Sequence, residues 1–289
     1  TAFYPSEDAT QSNRPKIAVT VAARRYWTGL VDGDLSDGGN WDGALAYPSS
    51  DDIALFNSGT NSATSGTLDC WRLHVGKSYR GSIVDSGAPT VRIEAESVVL
   101  DNKYAGTKIA INLTAATYAT LRIVNTPRDS ILIDGYYHAI ITGTGHAIDL
   151  RTDSSTTIEA HGSGSNFTTD TYLSSCQVTN GVATLSDGAA TLHVVRGRVT
   201  LDGTESQDVT LANGKIKVEA NDLGVATVYA GTLSYATNES GENTIGELYV
   251  YNKGIADTRT GGATLSAISG SATYGGRVLF DGAMSVEVR

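Results

Sequence analysis

The 289-residue chain carries a formal net charge of -10, which argues against a nucleic-acid-binding or anionic-membrane-binding surface, since both need a basic footprint. No stretch is apolar for long enough to cross a bilayer as a helix, so no membrane insertion is expected. Glycine (32) far outnumbers proline (5), and Thr, Val, Ile and Ser fill the apolar-rich segments, a balance that favours many short strands joined by bends.

Thr1 to Lys16 is polar, holds two prolines and has no period, and it reads as an extended arm reaching to about residue 25. Arg14, Lys16, Arg24 and Arg25 make this arm basic on an acidic body, and these four cations are the candidates for docking on an acidic partner, a frayed terminus being the competing reading. The one methionine, Met284, is internal, so the start at Thr1 reflects either removal of an initiator methionine, the simpler account, which implies synthesis in a cytoplasm without export, or cleavage of a longer precursor such as one with a signal peptide.

Residues 26–66 hold the most distinctive pattern, YWTGLVDGDLSDGGNWDGALAYPSSDDIALF. Trp27, Trp41, Tyr47 and Phe56 supply bulky apolar surface of the kind that covers the open end of a stacked fold. Asp32, Asp34, Ser36 and Asp37 look like the start of a calcium loop, but Asp37 stands where an EF-hand needs glycine, and Gly43 where it needs a bidentate glutamate. The competing reading is a solvated acidic turn, so no metal or other cofactor is expected, with Asp32, Asp34 and Asp37 as the calcium candidates.

Through Trp27, Gly29, Asn40, Trp41, Pro48, Asp52, Ala54 and Phe56 this segment resembles the opening of secreted and surface-displayed β-helical repeat proteins of bacteria, including autotransporter-type passengers. The resemblance covers about thirty residues. It implies an architecture, a β-helix, and says little about activity.

From Thr67 onward, short apolar strands recur, and Arg198 to Val218 shows the pattern most clearly. Val199 and Leu201, Val209 and Leu211, and Ile216 and Val218 are each spaced by two, so each pair faces one side, with Asp202-Gly203 and Asn213-Gly214 as corners between them. Residues 152–175, rich in Ser, Thr and Gly, read as a lateral loop or thinner coils. Repetition at about twenty to twenty-five residues per turn predicts an all-β fold over residues 67–289, a right-handed parallel β-helix similar to the pectate-lyase-like class. A β-sandwich with Greek-key connections is the alternative.

Candidate chemistry is sparse. Asp101, Asp134, Asp149, Asp202 and Asp281 fall at strand ends, where aspartate bonds to its own backbone, although glycoside hydrolysis would need two carboxylates brought together. His138 and His146 repeat at a spacing of eight, with neither cysteine near them to complete a zinc set. Cys70 and Cys176 are expected as buried thiols, several layers apart. Tyr136, Tyr137, Tyr249 and Tyr251 could form an exposed aromatic ladder for a sugar or protein partner, or be core.

These features lead to the expectation of a non-enzymatic structural protein of a virus particle: a bacteriophage capsid decoration, fibre or tail component anchored through its arm on a capsid or tail protein. Self-association as a homotrimer belongs to this reading. A bacterial surface adhesin or autotransporter passenger is the alternative, and a polysaccharide-binding or polysaccharide-degrading protein, with host-surface glycan as partner, is the third.

Overall fold

The computed structural model describes residues 21–42, 47–84, 91–104, 108–113, 120–125, 131–135, 138–143, 148–151, 156–235, 243–257, 259, 265–279 and 286–288. In chain order the strands are β1 (Arg24–Tyr26), β2 (Ile53–Phe56), β3 (Thr67–Val75), β4 (Val91–Asp101), β5 (Ile109–Leu113), β6 (Thr120–Asn125) and β7 (Ile131–Asp134). They continue as β8 (His138–Ile141), β9 (Ile148–Arg151), β10 (Thr157–Ala160), β11 (Asn166–Thr169), β12 (Leu173–Val178), β13 (Val182–Leu185) and β14 (Ala189–Val194). Longer strands that run through corners follow: β15 (Arg198–Leu211), β16 (Lys215–Tyr235), β17 (Asn243–Asp257) and β18 (Leu265–Tyr274), then β19 (Arg277–Leu279) and β20 (Val286–Val288).

Neighbouring strands pair in parallel, in two stacks that the chain visits alternately. The first stack runs through β1, β2, the second halves of β3 and β4, then β6, β8, β10, β12, β14 and the far half of β15. The second runs through the first halves of β3 and β4, then β5, β7, β9, β11, β13 and the near half of β15. This is a parallel β-solenoid, and the antiparallel sandwich is set aside.

Alternation within each strand sends every second side chain inward, and parallel register places like upon like. One inner column begins at Ala54, passes through Leu73, Val98, Leu121, Ala139, Ile158, Cys176, Leu192, Val209 and Ala226, and reaches Leu248. None of these side chains is more than 3% exposed. Full burial of one Val, Leu or Ile stabilises by about 1.5–3 kcal/mol, so the column is a principal source of cohesion.

Coil length varies along this column. Leu73 and Val98 lie 25 residues apart and Ala226 and Leu248 lie 22 apart, within the expected range. Between Leu121 and Ala226 each coil takes only 16 to 19 residues. Such short coils need abrupt corners. Gly214 has φ +140°, and a Cβ there would lie 2.4 Å from the Gly197 carbonyl oxygen; Gly231 (φ +89°) would meet the Gly214 oxygen at 2.3 Å. The backbone closes tightly at this seam, with Thr232 N–H donating to the Gly214 carbonyl at 3.0 Å.

One feature differs from the sequence reading, and another decides between two alternatives it left open. Among the described residues the register starts at Arg24, since β1 pairs with β2, so Arg24 and Arg25 belong to the stacked body. Residues 156–178 form β10, β11 and β12 in register, which sets aside the lateral loop and agrees with the other alternative, thinner coils, since the coils here take 16 to 19 residues. Small polar residues stand inside here: Ser165 and Thr169 are buried, and Thr169 aligns with the inward Leu150 and Leu185.

Candidate functional site

The first coils enclose an aromatic cluster. Trp27 stacks on Phe56 (5.4 Å between centroids, 24° between planes) and meets Trp41 edge-on at 5.2 Å, and Phe56 meets Tyr79 edge-on at 5.2 Å. All four are buried, and their polar atoms are used: Trp27 Nε1 donates to Asn61 O (3.0 Å), Trp41 Nε1 to Leu35 O (2.9 Å) and Tyr79 OH to Asn61 O (2.9 Å). Burial pushes the Tyr79 phenol up. Tyr47 clasps the next coil, donating to Thr67 O at 2.7 Å and accepting from Asp69 N–H at 2.8 Å. Tyr79 was missed by the sequence reading because it follows a turn, Gly76-Lys77-Ser78, and carries no strand alternation.

The acidic turn is built around Asn40, which is fully buried. Its side-chain oxygen accepts from the N–H groups of Val31 (2.9 Å) and Asp32 (3.0 Å), while its amide donates to Asp32 Oδ1 (2.6 Å) and Asp34 O (2.9 Å). Asp32 also accepts from Asp34 N–H, Asp34 from Ser36 N–H and Oγ, and Asp37 from Gly39 N–H. The bonds from Asp34 N–H and Asn40 hold the Asp32 carboxyl below its ordinary range. All three calcium candidates are thus engaged in turn hydrogen bonds. Arg25 lies 3.6 Å from Asp52. Burial raises the Asp52 carboxyl, but hydrogen bonds from Ser49 and the Arg25 charge outweigh it and leave the group lowered. Arg25, one of the four docking candidates, is thus half-buried and engaged with Asp52; Arg24 is exposed, and Arg14 and Lys16 lie outside the described residues.

On the outer face of the first stack, β8 and β10 bring His138, Glu159 and His161 together. His138 Nε2 lies 3.1 Å from Glu159 Oε1, His161 Nε2 lies 3.0 Å from Glu159 Oε2, and His161 Nδ1 is 3.3 Å from Thr179 Oγ1. The His161 and His138 bonds hold the Glu159 carboxyl below its usual value. The sequence reading paired His138 with His146, which lies outside the described residues; the coil length instead places Thr157 beside His138, and Glu159 follows two positions later. Among the described residues no group of three His, Cys, Asp or Glu side chains is arranged to hold a metal ion.

The corner acids are dispersed. Asp101 accepts from Asn125 and faces Lys77 at 3.5 Å, Asp149 shares Arg151 with Asp170, and Asp202 is exposed. The side chains of Asp134 and Asp281 lie outside the described residues. Cys70 and Cys176 are unbridged and buried, and burial pushes both thiols up to about 12. Tyr249 and Tyr251 alternate with the buried Leu248 and Val250, so both point outward, and Tyr251 stacks on Tyr229 at 4.8 Å and 21°. Tyr136 and Tyr137 lie outside the described residues. Tyr229 was missed because only the 22-residue coil from Ala226 to Leu248 sets it beside Tyr251.

No helix among the described residues is long and apolar enough to cross a membrane. Comparison of the chain with protein-family models, curated proteins and solved structures found no match.

Proposed function

We propose that the chain is a non-enzymatic structural solenoid of a virus particle, a bacteriophage capsid decoration, fibre or tail component whose basic N-terminal stretch docks on a capsid or tail protein. The observation that carries this reading is the inner column from Ala54 to Leu248, which gives a stiff body whose product is form and surface. Support also comes from the outer faces, where Asp149, Arg151 and Asp170, or His138, Glu159 and His161, are engaged with one another. Arg14, Lys16, Arg24 and Arg25 supply the anchor, the rod assembles as a trimer through closed symmetry, and its place is the virion after synthesis in a host cytoplasm.

The test is mass spectrometry and imaging of purified particles. The chain is expected at regular sites on the particle, and a variant lacking residues 1–20 is expected to keep its unfolding midpoint and lose docking. Absence from particles overturns the reading. The second reading, a bacterial surface adhesin or autotransporter passenger, draws on the Trp27, Trp41 and Phe56 cluster, and antibody labelling of intact cells would favour it.

A further inference from the structure

We propose that the corner between the two stacks at β15, β16 and β17 binds an acidic glycan, whatever the solenoid is mounted on. Register brings the charges together. Arg198 pairs directly with Lys215, and Thr200 pairs with Lys217, so three cations occupy a block of four outward positions on adjacent coils. All three are exposed, as are Arg196 at the preceding corner and Lys253, whose partner in register is Ala230.

Positive charge of this density is out of keeping with a chain of net charge -10. Lys217 is paired with Glu219, while Arg196, Arg198 and Lys215 form no ion pair among the described residues. The flanking coils supply no neutralising acid at these positions: Val182 and Thr184 lie on one side, Thr232 and Ser234 on the other. Like charges directly opposite each other on neighbouring strands destabilise a sheet, and a local cost of this kind is the mark of a site used for something else.

A second observation selects the ligand. Tyr229 stands at the same corner with 49% of its surface exposed, one ring face stacked on Tyr251. Tyr229 follows Val228, the partner of Leu211, so the residue toward its other side is Ala212, too small to cover a ring. An aromatic face beside a row of cations and the amide of Asn213 suits a sugar ring bearing carboxylate or sulfate: apolar C–H faces on the tyrosine, anions on the arginines. Nucleic acid fits less well, because its phosphates need a longer basic track than this corner offers.

The test uses the full chain in biolayer interferometry against immobilised polygalacturonate, which carries carboxylates, and dextran sulfate, which carries sulfate esters, with neutral dextran and duplex DNA as controls. Binding to at least one acidic polysaccharide is expected, weakening as salt rises, and the preferred polymer tells carboxylate from sulfate. Arg198→Gln with Lys215→Gln should weaken it at least about tenfold, and Tyr229→Ala about fivefold, with unchanged circular dichroism. Binding to neither acidic polymer, undiminished binding by the double variant, or equally tight binding to DNA would overturn the assignment.

Discussion

Asn40 is the residue on which the acidic turn at Asp32 to Asp37 depends. It satisfies two N–H groups and donates to a carboxylate and a carbonyl, all within one turn. Asn40→Leu keeps the volume and removes all four bonds, and each buried group left unpaired costs about 1–3 kcal/mol. A clear fall in the urea midpoint is expected, and an unchanged midpoint would show that the turn is held elsewhere. Gly214 is a second such residue, because its φ of +140° and the nearby Gly197 carbonyl leave no place for a side chain. Gly214→Val should destabilise by about 2–4 kcal/mol, read by thermal unfolding, whereas a valine at the exposed corner Asn213 should have little effect.

At the level of strands, β8 and β10 are joined across their outer faces by Glu159 and two histidines. The Glu159 carboxyl is lowered in the folded chain, so its contribution is present above the ordinary glutamate value of 4.5 and is lost as pH falls through the lower folded value. Solvent screens the group, so the effect is small. Glu159→Gln should lower the melting temperature near neutral pH, with the difference from the parent chain closing toward strongly acidic pH; a constant difference across that range would assign the bridge no part in acid sensitivity. The sequence discloses strands where Val, Leu or Ile alternate, as at Val199 and Leu201, because aliphatic spacing by two has one reading. It leaves β10 to β12 open between a loop and thinner coils, because Ser165 and Thr169 face inward where aliphatic residues would declare a strand. It conceals the Glu159 bridge and the Tyr229 stack for another reason: which residues become neighbours depends on coil length, and corners change that length from 25 to 16 without a local signal.

Considered whole, the solenoid is a one-dimensional stack in which each coil touches only those beside it, so opening can begin in one region and leave another intact. Cys70 in β3 and Cys176 in β12 mark two such regions, and both thiols are buried and raised to about 12, hence unreactive in the folded chain. In intermediate urea the two should be alkylated at different rates, read by peptide mass spectrometry; equal rates at every concentration would mean that the stack opens as one unit. The spacing of the central coils has a further consequence. Leu192, Val209 and Ala226 follow one another at equal intervals of 17, so the segment 195–211 is one whole period. Excising it would bring Val194 directly before Ala212 with every remaining residue still on its own side, and the particle would shorten by about 4.8 Å, the width of a single strand. Length in this molecule is therefore counted out in whole steps, and evolution can lengthen or trim it by copying or dropping a period without redesigning what lies above or below.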